Sequence, residues 1–459
     1  MAPVFTLMTC LLLQTALSTP ILPSSGSLVG DSVAATKLPG RTSHFMRLTS
    51  RSASRSHDRA RKRGTNFGSL RNLGYNNRWA IEANIGGNTV LMTLDTGSSD
   101  TWVLAPGWQC LHSTGGLQSQ QSACNTGPVW NGTVTNGPLP NQNFNMKYGG
   151  GEFVIGTPHV TDMTVGGVHV KSQEIGVVDQ AHLQEVGYAS GFLGLAFAAR
   201  TSSYVGLDPS IDNRTVAGTK PGERQFYSPI VETMISQGLN PPMFSLALQR
   251  PTTSTNMTPI SNNVFGGYIS FGGLPPVDVD PACFVSTPIL IHDYPTYPNQ
   301  SPLSKSNYTY YSIQIDGYVY PNAPRGAPVV HALRDIGIVD SAAPALYLPA
   351  SVANAWYALS ARPPYVDALG YSYYPCGTRL PALGIQIAGK TFWVDERDLM
   401  APSSAAGYVN ATTGVEYCWV AVVGGQAPFP FVLGDVFQRG VVSVFDWGRR
   451  TISFAEHVY

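Results

Sequence analysis

Two aspartates in this 459-residue chain each follow a short apolar stretch and precede a tight turn. They are Asp95, in Leu94-Asp95-Thr96-Gly97-Ser98-Ser99, and Asp340, in Val339-Asp340-Ser341-Ala342-Ala343. Each has its own downstream apolar-apolar-glycine segment, Phe192-Leu193-Gly194-Leu195 for the first and Val432-Leu433-Gly434-Asp435 for the second. From aspartate to glycine is 99 residues (194 − 95) in one copy and 94 (434 − 340) in the other, a weak internal repeat of half a chain. Two carboxylates brought together by a pseudo-twofold axis can share one proton, because like charges about 3 Å apart do not both ionise readily. Such a pair can activate water. Other hydrolytic chemistries lack their residues: there is no Gly-x-Ser-x-Gly for a serine nucleophile, no His-Glu-x-x-His for zinc, and no Cys-x-x-Cys or close Cys/His set. No metal and no organic cofactor is expected.

The elements that must position these carboxyls read as strands. Gly, Pro, Thr, Val and Tyr are abundant and apolar runs are short and alternating, whereas the Ala/Leu/Glu/Lys stretches that build long helices are scarce. Tyr268 to Phe271 closed by Gly272-Gly273, Tyr310 to Tyr320, and Gly440 to Asp446 read as strands. Helical spacing appears locally, as in Pro229 to Gln237, stopped by Gly238, and in Ser351 to Leu359, which begins after Pro349. Four segments rich in Gly, Ser, Thr, Asn and Pro read as inserted loops: Gln109 to Gln142, Ala198 to Arg224, Pro251 to Asn263, and His292 to Ser306.

Four segments in chain order then resemble one family, the pepsin-like aspartic proteases, in particular their secreted fungal members. Asp95-Thr96-Gly97-Ser98-Ser99-Asp100-Thr101-Trp102-Val103 is similar to that family's first active-site loop and Tyr148-Gly149-Gly150-Gly151 to its flap tip. Residues 227–248 resemble the helix and strand that close its first lobe, and 431–455 its C-terminal strands. The resemblance runs from about Leu73 to the C-terminus. It implies an all-β fold with short helices, bilobal, with a pseudo-twofold axis and the active-site cleft between lobes. Residues 64–275 would be the N-terminal lobe with Asp95 and the flap, and 276–459 the C-terminal lobe with Asp340, the change falling between about Leu274 and Pro288. Asp95 and Asp340 would be catalytic, while Tyr148, Gly149 and Trp102 would form the flap and touch substrate. In support, Thr96 and Ser341 would exchange hydrogen bonds across the lobes, Gly97 would keep the loop tight, and Ser98 would donate to Asp95. Read without the family, Tyr148 is a packing aromatic on a hairpin. The resemblance also pairs Cys376 with Cys418 and Cys110 with Cys124, leaving Cys283 as an unpaired, buried small hydrophobe.

The second loop departs from the family, which has Gly and then Thr or Ser where Ala342 and Ala343 stand. A left-handed backbone at Ala342 would cost about 1 to 2 kcal/mol; ordinary angles would cost much less. Loss of a hydroxyl at Ala343 removes one hydrogen bond to a carboxylate, worth about 1.5 to 3 kcal/mol. Fewer donors to the charged form raise the pair's pKa values and shift the expected activity optimum to higher pH.

The remaining expectations concern processing and location. Residues 1–19 read as a signal peptide, too short to span a bilayer. Residues 20–63 read as a basic propeptide, with nine Lys/Arg against Asp31 and Asp58, ending at Arg61-Lys62-Arg63. Its removal takes the chain from 28 basic and 28 acidic residues to 19 and 26, a net charge near −7 that disfavours nucleic acid as partner. Acid would weaken the pairing of propeptide with body and favour its release. Sequons at Asn131, Asn213, Asn256, Asn307 and Asn410, with a weaker one at Asn299, fit a glycoprotein. The expected product is a secreted, extracellular, monomeric endopeptidase without a membrane span, with vacuole and cell wall as further destinations, acting on peptides or proteins at acid pH. The alternative is a pepsin-like protein of impaired proteolysis that binds peptides or acts on a non-peptide ligand.

Overall fold

In the computed structural model the chain divides into two compact units, 1–62 and 63–459. The described residues are 66–74, 78–117, 121–183, 188–250, 264–292, 307–321, 328–332, 334–368, 370–401, 408–425 and 431–457. The signal and propeptide readings, Asn256, Asn299, the loop 251–263 and nearly all of 292–306 fall outside them.

The first half builds on β1 (Asn66–Leu73), β2 (Arg78–Ile85) and β3 (Asn88–Asp95), an antiparallel meander. Its β2–β3 turn is Gly86-Gly87, with φ of 56° and 85°, angles that glycine adopts without a side-chain clash. Along β3 the pattern changes: Thr89 is exposed, but Met92 to Asp95 are all buried, so the strand delivers its aspartate into the interior. β4 (Thr101–Cys110) leaves the aspartate loop, β5 (Gln142–Lys147) and β6 (Phe153–Val165) form the hairpin that carries Tyr148, and β7 (Val168–His182) and β8 (Gly191–Gly194) complete this half. β6 shows why alternation makes a strand: Val154, Gly156, Pro158, Thr161, Met163 and Val165 face inward between half-exposed neighbours.

Among the described residues one sixteen-stranded sheet continues from these strands through Val264–Phe271 and Met243–Leu248 to the C-terminal Val441–Asp446 and Thr451–Glu456. Second-half strands form three smaller sheets, one of which places Asp335–Val339 beside Phe431–Leu433. The fold is thus mainly β and bilobal. Among the described residues three short helices lie on it: α1 (Ile230–Ser236), α2 (Ala350–Tyr357) and α3 (Asp435–Gln438). A stop at Gly238 with φ 66° follows α1. The halves share a core in which Phe244 stacks on Phe445 at 4.5 Å and Phe197 meets Trp447 at 4.5 Å.

Three details differ from the sequence reading. The strand expected over Tyr310 to Tyr320 is two, Ser312–Ile315 and Gly317–Pro321, because the chain changes sheets at Asp316. Ala198 to Arg224 is not plain loop: Ser203–Val205, Asn213–Ala217 and Glu223–Gln225 extend the sheet edge beyond β5. Cysteines 110 and 124 are bridged, as are 376 and 418. Closing loops of 14 and 42 residues restricts the unfolded chain by about 3 to 4 kcal/mol each. Cys283 is corrected: it is half-buried on a short turn, Pro281–Cys283, and no free cysteine exists among the described residues. Counting cysteines by family pattern left it over, and its neighbours on the turn, Pro281 and Ala282, are exposed.

Candidate active site

Each aspartate loop is locked to the glycine segment of its own half. Asp95 pairs in register with Gly194, and Leu195 and Ala196 donate backbone N–H to the carbonyls of Asp95 and Ser98 at 2.9 and 2.8 Å. In the other half Asp340 donates its N–H to Leu433 O at 3.2 Å, and Asp435 N–H reaches Ala343 O at 2.9 Å. Gly194 and Gly434 have no room for a side chain: a Cβ at either would collide with backbone of the loop it passes, at Asp100 and Ala345 respectively.

The two loops then meet. Thr96 N–H donates to Ser341 Oγ at 3.1 Å and Ser341 N–H to Thr96 Oγ1 at 2.9 Å, while the hydroxyls donate onward to Val339 O and Leu94 O, both at 2.9 Å. This reciprocal set sits between residues 245 apart and is fully buried. It sets the Asp340 carboxyl against the first aspartate loop, close enough for each carboxyl to act on the other's protonation. A methyl on Gly97 would fall on the Asp340 carboxylate, 2.7 Å from Oδ1.

The pair is electrostatically uneven. Asp95 is buried and accepts from Gly97 N–H at 2.8 Å and from the Ser98 hydroxyl. Burial, and next the charge of Asp340, push its pKa up to about 7. Asp340 keeps part of its surface open and accepts from Ala342 N–H at 2.8 Å. Burial raises its pKa too, against main-chain donors and Asp95. Ala342 and Ala343 are absent from the positive-φ residues, so the second loop carries no left-handed strain; the Ala342 methyl instead packs against the cluster of Trp102 and Phe192.

Tyr148 tips the β5–β6 hairpin, where its N–H donates to Glu152 O at 2.8 Å. Its hydroxyl accepts from Trp102 Nε1 at 2.7 Å, and both rings lie 5.2 Å from Phe192. Burial and the charge of Asp95 hold the Tyr148 phenol well above its usual pKa, so it stays neutral. Gly149 is exposed at the tip. Behind Trp102, buried Asp100 accepts from Ser202 N–H at 2.8 Å and the Tyr227 hydroxyl at 2.6 Å. Phe192, Tyr227, Arg78 and Asp435 were given no role from sequence. Phe192 and Asp435 lie inside the quoted repeat segments, but only position in the fold singles them out.

A profile of the family described as Eukaryotic aspartyl protease matches residues 78–274 and 294–457. The chain belongs to that family. A probable aspartic-type endopeptidase of Aspergillus fumigatus is 32% identical over 380 residues, 82% of this chain and 78% of its own. Human gastricsin is 26% identical over 376 residues, covering 80% and 77%. The crystal structure of an aspartic proteinase from Irpex lacteus superposes with a TM-score of 0.60 at 17% identity, over 86% of this chain and 98% of the other. Aspartyl proteases are hydrolases acting on peptide substrates, and among the described residues no group of His, Cys, Asp and Glu is arranged to hold a metal ion.

Proposed function

We propose that this aspartyl protease is a secreted endopeptidase that cleaves at acid pH through water held between Asp95 and Asp340. The observation that carries the reading is the reciprocal Thr96–Ser341 hydrogen bonding that joins the two loops, with the Asp340 carboxylate lying against Gly97 of the first. One carboxylate takes a proton from the water while the other, still protonated, donates to the scissile carbonyl oxygen. With a pKa raised to about 7, the pair keeps its shared proton through the acid range and loses it near neutrality. Tyr148 closes over the substrate and excludes bulk water from the reacting carbonyl. Two disulfides support an oxidising compartment. Sequons at exposed Asn131, Asn213 and Asn307 and half-exposed Asn410 leave room for glycans. The first 63 residues serve as signal and propeptide in this reading, and the mature chain acts as a monomer.

The second reading, a peptide-binding protein of impaired proteolysis, is favoured by the methyl of Ala343 where the first loop has the Ser98 hydroxyl. Digestion of denatured haemoglobin or a peptide library from about pH 2 to 7, with and without a statine-type inhibitor, separates the two. Inhibitor-sensitive cleavage that falls about a thousandfold or more in Asp95→Asn and Asp340→Asn supports the endopeptidase. Inhibitor binding without cleavage supports the rival.

A further inference from the structure

A cluster of arginines without ion pairs stands beside the paired carboxyls; the inference rests on the paired-carboxyl reading above. Arg200 ends a short turn, Ala198–Arg200, that follows the glycine segment of the first half. Its guanidinium lies over the ring of Tyr310, 4.6 Å from the centroid. Sheet register fixes where that ring is. Ser312 pairs with Ile338, Val339 N–H donates to Tyr311 O at 3.1 Å, and the same antiparallel pairing continued sets Tyr310 opposite Asp340. The arginine thus reaches from the first lobe onto a second-lobe aromatic next to the aspartate. Burial raises the Tyr310 phenol above its usual pKa, so the ring offers the cation a π face and no charge.

Two more guanidiniums back the same turn. Arg224, buried, donates from Nη1 to Ala199 O at 3.1 Å and from Nη2 to the Tyr204 hydroxyl at 3.2 Å. Arg214 donates from Nη2 to Asn145 O at 3.3 Å, and Asn145 N–H bonds Ser202 O at 3.0 Å. Every acceptor here is neutral, and among the described residues none of the three arginines forms an ion pair. The nearby acids are engaged elsewhere: Asp100 by Ser202 N–H and the Tyr227 hydroxyl, Asp212 by Asn143 and Asn145, and Glu174 by the Ser203 hydroxyl. Arg200 is half-buried, its Nε is buried without a hydrogen bond, and no group among the described residues accepts from the rest of its fork. A buried donor left open calls for a partner from outside the fold. Residues 64–459 hold 19 basic against 26 acidic side chains, so three grouped and unpaired cations run against the balance of the chain.

We propose that Arg200 is a specificity-determining residue that binds a carboxylate side chain, Asp or Glu, of the peptide substrate. Its planar fork takes both oxygens of a carboxylate at once. Tyr310 holds the guanidinium from one face, and the charges of Arg214 and Arg224 add to the local positive potential. A peptide bound in extended form rises about 3.3 Å per residue, so a cation on the neighbour of Asp340 meets side chains about two or three residues from the cleaved bond. Glutamine at that place keeps a hydrogen bond but loses the charge, and lysine is repelled.

The test uses statine-type inhibitor peptides that carry Glu, Gln or Lys at each position in turn on either side of the statine, with matching substrate peptides. Binding is read by calorimetry and cleavage by kcat/KM at about pH 5.5, where a glutamate of ordinary pKa, about 4.3, is mostly ionised. At one position wild-type protein is expected to favour Glu over Gln by about tenfold or more, the factor that one hydrogen bond to a charged group supplies. Arg200→Met, whose stem still covers the Tyr310 ring, and Arg200→Gln should bring that ratio near one, and Arg200→Glu should turn the preference to Lys. Wild-type protein that distinguishes Glu from Gln at no position overturns the proposal, as does an Arg200→Met or Arg200→Gln protein that keeps the wild-type ratio. If the inhibitors bind with the expected preference and no substrate is cut, the proteolytic reading falls while the assignment of Arg200 stands.

Discussion

At Gly97 the backbone lies against the Asp340 carboxylate, with no space for even a methyl group. The equivalent residue of the other loop, Ala342, does carry a methyl, which finds room beside Trp102 and Phe192. The pseudo-twofold repeat is therefore broken where it matters most for charge, and glycine is needed on one side only. Gly97→Ala should displace Asp340 and lower kcat by about a hundredfold or more, since small misplacements of reacting groups carry costs of that order. Steady-state kinetics together with inhibitor titration checks this; a variant with near wild-type kcat would show that the pair tolerates separation. Both aspartates and Gly97 were legible in the sequence, as members of a motif. The freedom at Ala342 was not, because it depends on what stands opposite in another lobe.

Strands and turns follow from local pattern, and their joining does not. The grip between Thr96 and Ser341 sits at the ends of β3 and Asp335–Val339, and each hydroxyl in it both accepts and donates. Thr96→Val would strand a buried N–H of Ser341 and a buried carbonyl of Val339, at a cost of about 1 to 3 kcal/mol for each group. The expected outcome is a lower midpoint of denaturant unfolding with an unchanged slope, accompanied by loss of activity. An unaltered midpoint would mean that the loops are held by the glycine segments beneath them. The chain change at Asp316, read from sequence as one continuous strand, illustrates the same limit: alternation of side chains continues through a residue where the backbone switches hydrogen-bonding partners.

Across the whole molecule, buried acids outside the pair set a dependence of stability on pH. Burial raises Glu174 to about 7 and Asp435 to about 8, alongside Asp95 at about 7. These groups are protonated in folded and unfolded chains below about pH 4. As pH rises, the unfolded chain ionises first, so their contribution is lost progressively between about pH 4 and 8. Other groups act in the opposite sense. Hydrogen bonding to Arg397 lowers Asp395 to about 2, and burial lowers His457 to about 4, so stability from these falls as the solution is acidified. The melting temperature should accordingly peak in mildly acidic solution and decline toward pH 8, and Glu174→Gln should flatten that decline. Calorimetry from about pH 3 to 8 decides it; a melting temperature that rises steadily to pH 8 would show that the buried acids ionise without penalty.

The order of residues along the chain was enough to determine the two aspartate turns, their glycine segments and the β character of the elements between them. These depend on neighbours within a few residues, where side-chain alternation, glycine and turn geometry act directly. Only the folded arrangement decided that Arg78 lies beside a loop 264 residues away, that burial raises the pKa of Asp435, and that Ala342 is unstrained. Those outcomes depend on sheet register, burial and the local dielectric, which arise when distant segments pack together and have no counterpart in spacing along the chain.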